Sequence, residues 1–199
     1  TAEHPLTAMF MGETIPEADL PLRIVGASPC FRREVGSHGQ SDLGIWRVHQ
    51  FTKIEQIIIA TPEQSWELQE DLLQNCIDLW DALGMHYEVV NICTGDMGTV
   101  AARKYDLEAW IPGANQYKEI VSCSNCTDYQ ANRLQIRYGQ PGHAGQPIAH
   151  TLNSTAVATS RDLVAIMEQN QLEDGRVRIP EVLQPHMGGQ TVLEPCPWG

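Results

Sequence analysis

The chain has 199 residues, of which 42% are hydrophobic, and its 13 Lys and Arg against 25 Asp and Glu give a formal charge of −12. This composition is enough for a packed core and excludes a disordered or collagen-like chain. The acidic balance argues against a free-standing nucleic-acid binder, because phosphate binding needs clustered Lys and Arg. No apolar run approaches the roughly 20 residues of a membrane span, so no membrane partner is expected.

The first predicted elements form an antiparallel hairpin. Pro21 to Glu34 is predicted to be extended, and Val35 to Gly44 is a glycine-rich turn. The run from Ile45 to Ala60 is rich in the Trp, Val, Phe and Ile that strands prefer. Strand, turn and strand together predict a hairpin with a long mobile tip.

Two helices and three more strands complete the predicted order. Thr61-Pro62-Glu63-Gln64 predicts a helix start with Thr61 at the N-cap, and apolar residues then recur at helical spacing until Gly84. Strand-like segments follow at 87–93, 105–111 and 117–124, and a second helix at about 155–169. Since the βαβ alternation of a parallel sheet is absent, we predict an α+β fold, an antiparallel β-sheet flanked by helices.

The six cysteines include one close pair, Cys123 and Cys126. A single CxxC without a second Cys or His pair is weak grounds for zinc, which usually takes four ligands. The preceding segment carries charges, unlike the buried strand that precedes a thioredoxin-type redox pair. We therefore expect small buried or half-buried thiols in a reducing cytosol, a cytoplasmic protein, and no structural zinc.

The hairpin carries polar groups on one face. Residues two apart in a strand share a face, so the second arm places on one side Arg47, His49, Phe51, Lys53 and Glu55. Arg32 and Glu34 likewise share a face in the first arm. Such a face is ordinarily solvated, but beneath a glycine-rich turn it also suits a pocket for a charged, flat ligand.

Later polar residues favour the pocket. Glu119, Ser122 and Ser124 lie in a predicted strand, and their oxygens suit Mg²⁺ together with substrate phosphates. The segment 151–155 places small polar side chains at the predicted start of the second helix, where simple N-capping is an equal interpretation. Arg161 could clamp a polyphosphate together with Arg32. These patterns predict a nucleotide-polyphosphate site that acts by positioning and charge neutralisation.

The same residues resemble class II seryl-tRNA synthetases. Phe31-Arg32-Arg33-Glu34, the glycine-rich turn and the segment 47–55 are similar to motif 2 of that family, and the segment 152–161 is similar to motif 3. Further segments fall in the family's order, namely 1–3, 94–98, 106–110, 119–124, 174–180 and 193–196. The resemblance covers essentially all of the chain and implies one partial catalytic domain, residues 1–199.

The resemblance implies binding of ATP and Mg²⁺. Arg32 would bind the α-phosphate, Glu34 the adenine end and Arg161 the γ-phosphate, and Arg32, Arg161 and Glu119 would be catalytic. The remaining ATP-binding residues would be Arg33, Val48, Phe51, Glu119, Ile120, Val121 and Ser122, with the Phe51 ring stacked on adenine and Mg²⁺ held by Glu119 and Ser122. Since Glu119 and Ser122 fall on opposite faces of a regular strand, their joint role requires a bulge or strand end between them.

The resemblance also implies a serine site, formed by Thr1, Ala2, Glu3, Arg32, Glu55, Asn153 and Thr155. Glu55 would be the anionic partner of the amino group of L-serine. The serine carboxylate would attack the α-phosphorus in line, giving seryl-adenylate and pyrophosphate. Serine would then pass to the terminal adenosine of tRNA(Ser), with positively charged groups and Mg²⁺ offsetting the phosphoryl charge.

The sequence departs from the family ahead of Thr1. The resemblance leads us to expect a chain without the N-terminal coiled-coil arm, which grips tRNA, and without motif 1, which builds the family's homodimer interface. We therefore expect tRNA(Ser) binding to depend on the missing arm. One alternative is an armless, synthetase-like ligase that loads an amino acid onto a carrier protein. Another is a non-catalytic synthetase remnant that serves as a binding module.

Overall fold

The computed structural model describes residues 1–34 and 44–196. The α-helices of this part are α1 (Glu3–Ala8), α2 (Ser65–Ala82), α3 (Tyr129–Leu134) and α4 (Thr159–Gln169). The strands are β1 (Thr14–Pro16), β2 (Leu22–Phe31), β3 (Gln50–Ala60), β4 (Tyr87–Asn91), β5 (Arg103–Ile111), β6 (Gln116–Asn125), β7 (Arg137–Gly139), β8 (His150–Ala158), β9 (Val177–Arg178) and β10 (Val192–Leu193). None of these helices has the length and apolar character needed to cross a membrane.

The centre of the fold is a six-stranded sheet in the order β2-β3-β8-β6-β5-β4. Every neighbouring pair in it is antiparallel. Two small sheets accompany it, a parallel pair β1-β7 and an antiparallel pair β9-β10. An antiparallel sheet flanked by helices confirms the predicted α+β class.

The two faces of the sheet have different roles. Helix α2 packs on one face, where its Cys76 Sγ lies 3.5 Å from Gln56 Nε2 and 3.4 Å from Ser154 Oγ. The main core cluster includes the buried side chains Trp46, Cys76, Trp80, Met85, Leu107, Ala109, Ile111, Ile120, Val121 and Ala165. Because side chains alternate along a strand, Glu55 and Asn153 point to the opposite face, which helix α1 partly covers.

The predicted hairpin is confirmed, but both of its strands are shorter than predicted. Strands β2 and β3 pair from Leu22 opposite Ile59 to Phe31 opposite Gln50. The predicted strand start at Ile45 is wrong, because Trp46 turns inward and joins the core instead of extending the ladder. The predicted glycine-rich turn falls mostly at 35–43, outside the described residues.

The predicted start of the first helix is wrong by three residues. Residues 62–64 form a turn in which Thr61 N–H donates to Gln64 Oε1 at 3.3 Å, and the helix begins at Ser65. Its predicted end is confirmed. The helix stops at Ala82, and Gly84 adopts a φ of 66°, a left-handed conformation that glycine accepts without strain.

The segment predicted as the start of the second helix is a central strand. Residues 150–158 form β8 between β3 and β6, and α4 begins only at Thr159. The predicted start at Thr155 is therefore wrong. The polar side chains of 151–155 are buried, and those of Thr151, Asn153 and Ser154 bond residues of the helices packed on the sheet instead of capping a helix.

Candidate functional site

A cavity of about 440 Å³ opens on the sheet face opposite α2. Its walls come from the start of the chain, the ends of β2 and β3, the middle of β6 and β8, and the first turns of α3 and α4. Most of the predicted site residues line it: Thr1, Glu3, Arg32, Glu34, Val48, Phe51, Glu55, Glu119, Ile120, Ser122, Asn153, Thr155 and Arg161. The tertiary structure thus brings together residues that are up to 160 positions apart in the chain.

Three predicted site residues do not line this cavity. Ala2 is buried beside it, and Val121 packs into the core cluster on the α2 side of the sheet. Arg33 is exposed next to the end of β2. A binding role for these three residues stays a prediction.

A bulge in β6 explains how Glu119 and Ser122 reach the same cavity. Leu107 pairs with Val121 and the next residue, Glu108, pairs with Glu119, so Ile120 is an extra residue in the ladder. The bulge shifts the alternation of side chains by one position. It lies between Glu119 and Ser122, as their joint placement requires, and this prediction is confirmed.

Cationic side chains gather at one end of the cavity. Arg161 Nη1 lies 2.9 Å from the Glu119 carbonyl oxygen and 3.5 Å from Glu119 Oε1. Arg47 Nη1 lies 3.2 Å from Glu34 Oε2. Burial lowers the pKa of Arg161, Glu119 opposes this effect, and the nearby Arg32 and Arg47 add to it. Three converging guanidinium groups form a site for an anion such as a polyphosphate.

An aromatic ring lies beside this cationic end. The guanidinium carbon of Arg32 lies 5.3 Å from the centre of the Phe51 ring. Arg161 lies similarly over Trp46, at 5.4 Å. A planar ring beside anion-binding arginines suits a flat heterocycle joined to phosphates.

The opposite end of the cavity carries carboxylates. Lys53 Nζ lies 2.5 Å from Glu55 Oε2 and 3.3 Å from Thr1 Oγ1, and both Lys53 and Glu55 are buried. Burial raises the pKa of Glu55, and the positive charge of Lys53 opposes that rise. Glu55 pairs directly with Thr155 in the β3-β8 ladder, so a hydroxyl adjoins the carboxylate.

A second carboxylate, Glu3, is held from two sides. Asn153 Nδ2 donates to Glu3 Oε1 at 3.1 Å, and Gln130 Nε2 donates to the same oxygen at 2.5 Å. Two carboxylates with amide and hydroxyl neighbours suit a small ligand that combines a cationic group with a hydroxyl. The cavity can therefore accept a polyanion at one end and a small ammonium compound at the other.

Several lining residues received no individual role from the sequence pattern. Strand alternation placed Lys53 and Arg47 on the charged face of the hairpin without assigning a ligand group to either. Ser124 was already among the polar residues of the predicted strand, and Met97, Ala158 and Ser160 lie in segments of the class II resemblance. The other lining residues come from segments whose proximity to the cavity only the fold decides: His4, Trp46, Val100, Ala101, Lys104, Cys126 and Gln130. No local pattern at these positions indicates a shared site.

The two close cysteines lie in different surroundings. Cys123 Sγ lies 3.7 Å from the Gln69 carbonyl oxygen on the α2 side, whereas Cys126 lines the cavity and accepts from Asn153 Nδ2 at 3.4 Å. Burial raises the pKa of both thiols to about 12. They are therefore neutral thiols at neutral pH, and they lie on opposite sides of the sheet.

The cavity offers a metal ion few protein ligands. In the described part of the chain, no three His, Cys, Asp or Glu side chains are placed to hold a metal ion. Glu119 and Ser122 present one carboxylate and one hydroxyl to the cavity. This pair suits an ion such as Mg²⁺, which takes most of its ligands from bound phosphates and water.

Comparison with known proteins gives concordant matches. The family model of the tRNA synthetase class II core domain (G, H, P, S and T) matches residues 1–170. Serine–tRNA ligase from Methanocorpusculum labreanum is 59% identical over 195 residues, which are 97% of this chain and 46% of that protein. The chain thus spans about half the length of the curated relatives it matches.

Two solved structures share the fold closely. A crystal structure of seryl-tRNA synthetase from Pyrococcus horikoshii complexed with ATP has a TM-score of 0.94 and 52% identity, and the match covers 98% of this chain and 44% of that chain. A crystal structure of cytoplasmic serine–tRNA ligase from Naegleria fowleri in complex with AMP has a TM-score of 0.92 and 47% identity, and the match covers 98% of this chain and 46% of that chain.

The matched region contains every residue that lines the cavity. It also contains the segments 31–34, 47–55 and 152–161, on which the class II resemblance was based. That resemblance is confirmed, and the chain belongs to the family of the tRNA synthetase class II core domain (G, H, P, S and T).

Proposed function

We propose that this chain is the catalytic core of a serine–tRNA ligase, which activates L-serine with ATP and transfers it to tRNA(Ser). The observation that carries the proposal is one cavity with an arginine-rich end and an end built from Glu3, Glu55 and Thr155. The identity of 59% with the serine–tRNA ligase of M. labreanum supports the same function. The N. fowleri relative is a cytoplasmic enzyme, which supports a cytoplasmic location for this protein too.

ATP would occupy the cationic end. Arg32 would bind the α-phosphate while its guanidinium group stays close to the Phe51 ring, on which adenine would stack. Arg161 would bind the γ-phosphate, in exchange for its present contact with the Glu119 side chain. Glu34 would accept a hydrogen bond from the adenine edge, and the backbone N–H of Val48 would donate one to it. These contacts would hold the triphosphate so that its α-phosphorus faces the amino-acid end.

Glu119 and Ser122 would hold Mg²⁺ with the phosphates. When bound, the ion would neutralise charge on the pyrophosphate leaving group. Glu119 is half-exposed, with 45% of its side chain accessible, so it can turn from Arg161 toward a bound ion. The bulge at Ile120 keeps the Ser122 hydroxyl on the same wall.

Serine would occupy the carboxylate end. Its ammonium group would lie between Glu3 and Glu55, and its hydroxyl would bond Thr155 or Asn153. Its carboxylate would then attack the α-phosphorus in line and displace pyrophosphate. No side-chain nucleophile is required, since the barrier falls through orientation of the reactants and through stabilisation of the phosphoryl charge by Arg32 and Arg161.

Transfer of serine to tRNA(Ser) and assembly into a homodimer are further parts of the proposal. Both rest on the close match to serine–tRNA ligases about twice as long. The formal net charge of −12 fits a catalytic domain whose tRNA contacts lie largely in another part of the protein.

Serine-dependent ATP–pyrophosphate exchange tests the proposal, with the M. labreanum enzyme as the positive control. We expect Arg32→Ala to lower the exchange rate by roughly 10²–10³-fold, the usual cost of removing one charge-stabilising group. The matched control is Arg176→Ala, whose guanidinium pairs with the exposed Asp174 away from the cavity. It should leave the rate unchanged.

Other outcomes favour the alternatives. Exchange with a different amino acid would support a carrier-protein ligase. A folded sample that binds ATP without exchange would support a non-catalytic binding module. Retained exchange in Arg32→Ala would contradict the role of that residue alone.

A further inference from the structure

Gln130 connects helix α3 to the carboxylate end of the cavity. Its Nε2 lies 2.5 Å from Glu3 Oε1, although the two residues are 127 positions apart. Its Oε1 accepts from Thr151 Oγ1 at 2.7 Å. Thr151 lies in β8 and has no exposed surface, so the far end of this chain of hydrogen bonds is fixed in the core.

The amide of Gln130 has one favourable orientation. In the reverse orientation its oxygen would face the carboxylate of Glu3, and two acceptors would repel each other. The Thr151 hydroxyl can donate to the amide oxygen, which leaves the Nε2 group to face Glu3. The amide is therefore held at both ends, and Glu3 receives a charge-assisted hydrogen bond.

Asn153 completes the arrangement around Glu3. Its Nδ2 donates to the same Oε1 atom at 3.1 Å and also lies 3.4 Å from Cys126 Sγ. Both amide donors thus act on one carboxylate oxygen. The second oxygen, Oε2, has no hydrogen-bond partner among the described residues and is the one that a ligand can use.

We propose that Gln130 is a positioning residue for the amino-acid substrate. It does not touch the reacting atoms but holds Glu3 so that Oε2 accepts from the ammonium group of a small α-amino acid. This inference rests on the proposed function, in which Glu3 belongs to the serine site. Loss of Gln130 should weaken serine binding while leaving ATP binding and the chemical step largely intact.

The test uses Gln130→Met, which keeps the length of the side chain and removes both hydrogen bonds. We expect the KM for serine in ATP–pyrophosphate exchange to rise about 10-fold or more, as for loss of a hydrogen bond to a charged group. The KM for ATP and kcat should stay within about twofold, since those contacts lie at the other end of the cavity. Gln74→Met, an exposed residue of α2, is the matched control and should change none of these values.

Thr151 supplies an independent arm of the test. Thr151→Val removes the hydroxyl that orients the amide and should raise the KM for serine a few-fold, whereas Thr151→Ser should restore it. In the double variant with Gln130→Met, the loss of the hydroxyl should add nothing, because the two residues act through one contact. Gln130→Glu should raise the KM more than Gln130→Met, since it places a second carboxylate against Glu3.

The outcomes separate this inference from the function itself. If the unmodified chain shows no serine-dependent exchange, the proposed function fails and the inference with it. If the unmodified chain catalyses serine-dependent exchange and neither Gln130→Glu nor Gln130→Met changes the KM for serine, only the inference fails. Equal losses for serine and ATP, or additive effects of the Thr151 and Gln130 changes, would indicate a general structural role and overturn the proposal.

Discussion

Asp162 is a carboxylic acid that the fold buries beside a predicted phosphate-binding residue, Arg161. Its Oδ2 accepts from the Ala158 N–H group at 2.9 Å, at the junction of β8 and α4. Burial raises its pKa to about 7, against the opposing effects of the Ala158 N–H group and of Arg161. The negative charge that Asp162 acquires above that pH therefore costs the folded state free energy.

The sign of this effect can be tested with Asp162→Asn, which keeps an acceptor for Ala158 and cannot ionise. The folded pKa of about 7 exceeds the usual 3.8. The native protein thus loses stability as the pH rises from about 4 to 7. The free energy of unfolding of the variant should match the original near pH 4 and exceed it by on the order of 2–4 kcal/mol above pH 7, at about 1.4 kcal/mol per pKa unit.

Urea unfolding at pH 4.5 and pH 8 measures this difference. Asp174→Asn is the control, because the N–H group of Arg176 and its side chain lower the pKa of that exposed carboxyl. Since both pH values lie above its usual pKa, any loss of stability in this variant should be the same at pH 4.5 and pH 8. A gain for Asp162→Asn that is equal at both pH values would contradict the explanation.

At the scale of elements, helix α1 packs through Leu6 against Gly26 of the edge strand β2. Gly26 lies directly opposite Glu55 in the β2-β3 ladder. A Cβ atom at Gly26 would lie 2.8 Å from both methyl groups of Leu6. Since α1 follows Thr1 and begins at Glu3, this contact helps to place two residues of the cavity.

Gly26→Ala should therefore displace Leu6 and shift α1. We expect a loss of about 1 kcal/mol in the free energy of unfolding, as for modest overpacking, together with a higher KM for serine. Adding Leu6→Ala should make room for the new Cβ, so the double variant should lose less stability than the sum of the single changes. Strict additivity in urea unfolding would show that the two residues do not interact.

At the scale of the whole molecule, one cavity joins segments that are spread from Thr1 to Arg161. Its walls include Thr1 and Arg161, and the residues between come from four strands and three helices. A ligand that fills the cavity binds only the assembled fold. Its binding free energy therefore adds to the stability of the entire domain.

A non-reactive sulfamoyl analogue of seryl-adenylate should accordingly raise the Tm. At about 100 times its Kd the gain is about 2.7 kcal/mol, which corresponds to about 5–10 °C for a domain of this size. The glycyl analogue, which lacks the hydroxyl, should give a smaller shift. Differential scanning calorimetry measures both, and an equal shift in Arg32→Ala would place the ligand outside the arginine-rich end.

Local pattern was sufficient for much of the fold. Alternating polar and apolar residues identified β3 and its charged face, and helical spacing identified α2 as far as Gly84. The local sequence pattern did not predict the strand at 150–158, because Thr, Asn and Ser in this segment suggested the start of a helix. These polar side chains are buried in a central strand because one face lines the cavity and the other bonds α2, as Ser154 does with Cys76.

The sequence by itself determined the family, the antiparallel class and half of the residues that line the cavity, because these depend on short motifs and on the period of each strand. The tertiary structure alone decided that β8 lies between β3 and β6 and that Gln130 reaches Glu3 across 127 positions. Such contacts depend on which distant segments share one buried face, and that is settled only when the chain packs.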